Sequence, residues 1–148
     1  EQDLSKMDVD ATAANWYPSC AAVEALFPSV CGDRPAHIRR AQDEFPKKYP
    51  TPEALRRELA LLRDAWGDLS ARMRRQLMPF AEVKACLQAV GAPAEPEEIG
   101  VSRERFRETF AGVTYMRSRY FGLDLVARMG LEGELSASLF GPGGIWSC

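Results

Sequence analysis

Residues 51–77, TPEALRRELALLRDAWGDLSARMRRQL, carry the clearest secondary-structure signal in the sequence. Thr51 followed by Pro52 is a helix-start signal, because threonine caps free N–H groups and proline at the first helical position loses no hydrogen bond. Apolar residues then recur at spacings of three and four, namely Leu55, Leu59, Leu62, Trp66, Leu69, Met73 and Leu77. Gly67 leaves this phase unchanged, so the sequence predicts one long amphipathic helix over residues 52–77.

A second apolar stripe follows directly on a new predicted helix over residues 80–90. Four residues keep the helical spacing, namely Phe80, Val83, Leu87 and Val90, and Gly91 marks the end. Because the link at Met78 and Pro79 is short, we expect an antiparallel pair in which the two stripes zip together. A coiled-coil seam between two chains is the alternative use of the first stripe.

Shorter helices are predicted on both sides of this pair, and hardly any window alternates as a strand does. Their expected ranges are 8–15, 20–27 with Pro28 as its stop, 33–45, a helix capped by Ser102, 123–129 and 132–140. The tail from Gly141 has no helical propensity. The predicted fold is therefore all-α, a multi-helix bundle, with residues 1–148 forming a single domain.

The composition excludes several classes of protein. The 148 residues carry 19 Lys and Arg against 21 Asp and Glu, and this balance argues against nucleic-acid binding. No run of 18 apolar residues exists to span a membrane and no signal peptide is recognisable, so a cytoplasmic protein is expected. With His37 as the single histidine, no Cys-x-x-Cys and no phosphate-binding glycine loop, no catalytic, metal-binding or cofactor-binding residue is assigned.

Arg117 is the side chain that most suggests a ligand. The helical period from Phe110 and Val113 places it on an otherwise apolar face. It either caps carbonyls at the end of that helix, or it lies at a cleft where Arg117 or Arg119 holds a phosphate. Cys20 and Cys31 are interpreted as free buried thiols rather than a disulfide, and His37 as a surface or partly packed histidine rather than a base.

Longer strings add a family resemblance. LRDAWGDLSARMRRQLMPFAEVKACLQAVGAPAEPEEIGVSRERFRETFAGVTYMRSRYFGLDLVARMGLEGEL, followed by LFGPGGIW, resembles the C-terminal helical region of bacterial sn-glycerol-1-phosphate dehydrogenase-like proteins. These belong to the iron-containing alcohol dehydrogenase and dehydroquinate synthase-like superfamily. The most specific pieces are the run from Gly91 to Gly100, the Ser-Arg-Glu after it, and Arg117-x-Arg119-Tyr120 before Leu-Asp-Leu.

The resemblance implies a two-domain oxidoreductase that uses NAD(P) and a divalent metal, usually zinc. Its metal ligands, an Asp and two His, and its dinucleotide turn match no position here, so this chain would be the C-terminal part and would be inactive alone. The implied partners are its own N-terminal nucleotide-binding domain and a second copy in a homo-oligomer. Arg117, Arg119 and Tyr120 would contact substrate, although Phe121 stands where relatives commonly have threonine.

Two hypotheses of function follow from the sequence. In the first, the chain is the helical domain of such a dehydrogenase and forms one wall of the cleft between its domains. In the second, it is a freestanding helical module for protein–protein interaction without catalysis, and an apolar stripe binds a partner or a second copy.

Overall fold

A computed structural model describes residues 3–16 and 19–147, and within them the regular structure is entirely helical. The predicted all-α class is confirmed. The α-helices are α1 Val9–Ala14, α2 Cys20–Glu24, α3 Phe27–Cys31, α4 Pro35–Glu44, α5 Pro52–Gln76, α6 Phe80–Ala89, α7 Arg103–Val113, α8 Gly122–Arg128 and α9 Glu132–Phe140. Short 3₁₀ turns lie at Leu4–Lys6, Phe45–Lys48, Pro96–Ile99 and Thr114–Met116.

The long helix α5 begins and runs as its sequence predicts. The Thr51 hydroxyl accepts a hydrogen bond of 3.2 Å from the Ala54 N–H, and Pro52 occupies the first turn. The helix continues through Gly67, so the uninterrupted phase of the stripe was the correct guide. Leu55 and Leu59 are 1% and 0% exposed, and α5 packs against α1 and the turn at Leu4–Lys6.

The expected zipping of α5 onto α6 is wrong. No residue of α6 is buried, and Val83, Leu87 and Val90 of its stripe remain exposed. The chain turns at Met78 and Pro79 so that the stripe of α6 does not cover the second half of α5. Helix α5 packs against segments that are distant in sequence instead of the neighbouring stripe. The spacing of apolar residues does not predict which segments pack together.

The C-terminal tail holds α6 instead. The Trp146 ring lies 5.5 Å from the Phe80 ring and 4.9 Å from the Phe106 ring of α7, both edge-on. Phe140 of α9 contacts the same cluster. The apolar face of α7 predicted from its spacing therefore packs against α9 and the tail, with the Ser102 hydroxyl capping α7 as expected.

A buried aromatic core lies between α2, α3, α4 and the two 3₁₀ turns that follow α4 and α7. Phe27, Phe45 and Tyr115 are nearly inaccessible, and their ring centroids lie 5.2–5.8 Å apart. Val23, Cys31 and Ala41 complete the cluster. This core fixes the end of α4 beside the turn that follows α7, and that position matters for the site below.

Pro28 does not end a helix as predicted. It lies in the first turn of α3, where a missing N–H is harmless, and the chain forms two short helices, α2 and α3, in place of one. Ser19 caps α2 as expected, while its predicted companion Pro18 lies outside the described residues. Arg34 rather than Asp33 precedes α4, and its side chain makes no capping bond.

Candidate functional site

The segment at residues 117–121 is the candidate site, and its conformation differs from the prediction. Helix α7 ends at Val113, a 3₁₀ turn follows, and Arg117 is extended with φ −142° and ψ 143°. Arg117 therefore does not lie on the apolar face of α7, nor does it cap the carbonyls of that helix. The helical period broke down because the chain leaves the helix before reaching it.

The carboxylate of Glu44, at the end of α4, holds the middle of this segment. Its Oε2 accepts a 3.1 Å hydrogen bond from the Ser118 N–H, and its Oε1 lies 2.7 Å from Lys47 Nζ. The hydrogen bond from Lys47, followed by that from Ser118, lowers the pKa of the Glu44 carboxyl to about 2. The carboxylate thus stays charged at neutral pH and fixes the backbone between the two arginines.

Tyr120 is held by its hydroxyl and by its ring. The hydroxyl donates a 2.7 Å hydrogen bond to Glu58 Oε1 on α5, and the Arg128 guanidinium lies over the ring, 4.6 Å from its centroid. Burial, and then the hydrogen bond to Glu58, raise the pKa of the Tyr120 phenol. The Tyr120 side chain, which the sequence suggested as a substrate contact, therefore stabilises the fold through these two contacts.

An ionic cluster of Lys48, Glu58, Asp124 and Arg128 lies next to the 117–121 segment and holds it in place. Lys48 Nζ lies 2.5 Å from Asp124 Oδ1, and both side chains are about 5% exposed or less. Arg128 donates to Glu58 Oε2 and, over 2.7 Å, to the Lys48 carbonyl. Asp124 also accepts a 2.9 Å bond from the Phe121 N–H, which caps α8 and ends the segment.

Arg117 and Arg119 are left as exposed cations on this fixed backbone. Neither makes an ion pair or side-chain hydrogen bond with any residue in the described ranges. A third arginine contacts the backbone at the start of the segment, since Arg40 Nε donates to the carbonyl of Met116, immediately before Arg117. The arrangement can bind an anion, because two guanidiniums are offered without competing carboxylates of their own.

Sequence reasoning found the arginines but missed the ionic cluster. Glu58 lies on the polar side of α5, where it resembled one of several solvated acids, and Lys48 lay in a short basic run before the helix. Asp124 belonged to the Leu-Asp-Leu string without an assigned role. No local pattern pairs residues 70 positions apart, so only tertiary packing could bring Glu58 to Arg128.

The residues present do not fit the implied zinc or NAD(P). Within residues 3–16 and 19–147 no three His, Cys, Asp or Glu side chains are grouped as metal ligands. The single histidine, His37, is exposed and lines a cleft together with Arg34, Arg105 and Glu108, the last two of which form an ion pair. Nothing in this chain resembles a glycine turn for a dinucleotide, so no catalytic step is assigned to it.

Cys20 and Cys31 are free thiols in the structure, as predicted, and burial raises the pKa of both. Their thiolates are disfavoured, which argues for packing rather than nucleophilic roles.

Among the described helices, none is both long and apolar enough to cross a membrane.

Comparison with known proteins identifies no relative. No protein-family model matches this chain, and no curated protein or solved structure matches it. The dehydrogenase-like resemblance therefore rests on the strings themselves, and function has to be argued from the site.

Proposed function

We propose that this chain is the C-terminal helical region of an NAD(P)- and metal-dependent glycerol-1-phosphate dehydrogenase-like oxidoreductase, in which the 117–121 segment holds the phosphate of the substrate. One observation carries the proposal. Within the described residues, Arg117 and Arg119 are exposed and make no ion pair. The Ser118 and Phe121 N–H groups are hydrogen-bonded to Glu44 and Asp124, and the Tyr120 hydroxyl is hydrogen-bonded to Glu58.

The physical support is preorganisation. A phosphate monoester accepts paired hydrogen bonds from a guanidinium, and such charge-assisted bonds are about twice as strong as neutral ones. Holding Ser118 and Tyr120 in place lowers the conformational entropy that binding would otherwise cost. Glu44 does not compete for the arginines, because its two oxygens are engaged by Lys47 and the Ser118 N–H.

This chain would contribute binding and orientation, not the redox step. In the class that the strings resemble, the metal and the nicotinamide supply the hydride chemistry, and they would be bound by another domain. Arg117 and Arg119 would fix the charged end of the substrate from the helical side of the cleft. The chain alone is expected to bind the phosphate weakly and to catalyse nothing.

A titration with sn-glycerol 1-phosphate, followed by amide NMR, tests the binding. We expect shifts at Arg117, Ser118 and Arg119, none of comparable size with glycerol, and at least tenfold weaker binding in the double variant R117Q/R119Q. The matched control is R107Q, which removes an exposed arginine of α7. Equal binding by the double variant, or equal loss in the control, would contradict the proposed site.

A second experiment addresses the absence of activity in the isolated chain. Purified protein is incubated with NADH, zinc and dihydroxyacetone phosphate while absorbance of the nicotinamide is followed. No turnover above the protein-free reaction is expected. Measurable turnover that scales with the amount of chain would refute the division of labour between domains.

The alternative function is a freestanding helical interaction module, and one feature favours it. The second half of α5 borders an open groove of about 500 Å³, lined by Trp66, Met73, Leu77 and Met129 among others. The stripe of α6 is exposed as well. The coding sequence upstream of Glu1 discriminates the two functions: about two hundred preceding residues, enough for a nucleotide-binding domain, favour the enzyme, whereas a nearby start codon favours the module.

A further inference from the structure

A pocket separate from the 117–121 segment lies between α3, α7, α8 and α9. Its volume is about 320 Å³, at the lower end of the range of roughly 300–1,000 Å³ for small-molecule sites. Most of its wall is apolar, with Val30, Phe110, Leu123 and Leu135 among the lining residues. A ligand with an apolar body would therefore remove hydrocarbon surface from water on binding.

Glu132, in the first turn of α9, is the single charged residue of the pocket wall. Its carboxyl makes no hydrogen bond or ion pair with any side chain or backbone group in the described part of the chain. Burial raises the pKa of this carboxyl, and the cations that share a small neighbouring cavity with Glu132, Lys48 and Arg128, are paired with Asp124 and Glu58. The side chain is partly buried, so its carboxylate is open to a partner that enters the pocket.

The wall also explains why a ligand would enter in one orientation. Ser136 and Thr114 line the same pocket and offer hydroxyl groups in addition to the carboxylate. A carboxylate or phosphate in the pocket would be repelled by Glu132. An ammonium group would form a charge-assisted hydrogen bond with it, the strongest partner available to a buried carboxylate.

We propose that the pocket between α3, α7, α8 and α9 binds a small primary amine with an apolar body, with its ammonium group on Glu132 and its hydrocarbon against Phe110 and Leu123. The site is independent of the phosphate contacts assigned to Arg117 and Arg119. Failure of one proposal therefore leaves the other standing.

Gly133 supplies a way to block the pocket without disturbing the fold. It lies within α9 and lines the pocket, and a β-carbon built on it would meet no atom within 4 Å. A leucine there projects into the free volume, and replacing a helical glycine favours the helix. Gly67 of α5 is likewise helical with open space around it, which makes G67L the matched control.

The probe is n-hexylamine, compared with 1-hexanol and hexanoate by calorimetric titration and by thermal unfolding. We expect hexylamine to bind at least tenfold more tightly than either analogue, because a charge-assisted bond adds tenfold or more to an equilibrium constant. E132Q should remove this preference and G133L should abolish binding. E134Q, which alters a carboxylate in the same turn of α9, and G67L should bind as the unaltered chain does.

Two outcomes would overturn the proposal. One is the absence of any hexylamine binding by the unaltered chain up to millimolar concentrations. The other is binding of hexylamine by E132Q or G133L with unchanged affinity, which would place the amine elsewhere. Circular dichroism of each variant establishes that it is folded before the affinities are compared.

Discussion

Lys48 and Asp124, 76 positions apart in the chain, form an ion pair of 2.5 Å whose two side chains are 5% and 4% exposed. The pair joins the turn after α4 to the start of α8. Asp124 also accepts from the Phe121 N–H, so the same carboxylate ties the 117–121 segment to the fold. The position of the 117–121 segment therefore depends on a buried ion pair that lies outside it.

Removing the carboxylate charge should be costly. Asp124→Asn leaves the Lys48 ammonium buried without its counter-ion, and we expect a loss of about 3–5 kcal/mol in the free energy of unfolding, measured with urea. The exposed pair of Arg63 and Asp64 provides the control, since D64N should cost at most about 1 kcal/mol. The double variant K48M/D124L should be more stable than D124N, because the ammonium that lost its counter-ion is then removed as well.

The two faces of α5 should respond differently to truncation. Leu59 is fully buried, and Leu59→Ala is expected to lower the free energy of unfolding by about 2–5 kcal/mol through lost burial and a cavity. Leu61 is 71% exposed on the same helix, and L61A should change stability by no more than about 0.5 kcal/mol. Similar effects in chemical denaturation would contradict the packing of α5 described above.

Acid should weaken the attachment of the 117–121 segment. The pKa of the Glu44 carboxyl, about 2 in the fold, lies below its usual 4.5, so its stabilising contribution is complete above 4.5 and disappears as the pH falls towards 2. We expect the Ser118 amide resonance to titrate with this low midpoint. In E44Q the titration should vanish, while the control D43N should retain it.

Alkali should act through Tyr120. Because its pKa is raised in the fold, the stability it provides is complete below about 10 and is lost as the pH rises through the folded value. Ultraviolet titration should contain a late phenol ionisation that is absent in Y120F. In E58Q the same ionisation should move to lower pH, and an unchanged midpoint in that variant would contradict the role of Glu58.

The tail should govern the stability of α6. Trp146→Ala removes the aromatic contacts with Phe80 and Phe106, each worth about 0.5–1.5 kcal/mol, so amide exchange in α6 should accelerate by tenfold or more. Exchange in the first half of α5 should be unaffected by this route. Ile145→Ala alters the exposed neighbour of the tryptophan and should leave α6 as it was.

Where the signal is local, the sequence predicts correctly where helices begin and end. Thr51 with Pro52 began α5, a constant phase carried it through Gly67, and Gly91 ended α6 with the bonds of a Schellman turn, Ala92 N–H to the Leu87 carbonyl among them. Helix caps and the spacing of apolar residues involve residues within about five positions of each other, so they can be recognised in the sequence alone. Arg117 and Arg119 were likewise recognised as candidate ligand contacts from the sequence alone.

Tertiary structure alone decided which faces meet and which polar groups pair. The stripes of α5 and α6 follow one another in sequence, yet α5 packs against α1, and α6 is held by Trp146. Glu58 pairs with Arg128 rather than with a neighbour on its own helix. Hydrophobic burial is non-directional and ion pairs form at any sequence separation, so these choices depend on the geometry of the whole chain rather than on any local pattern.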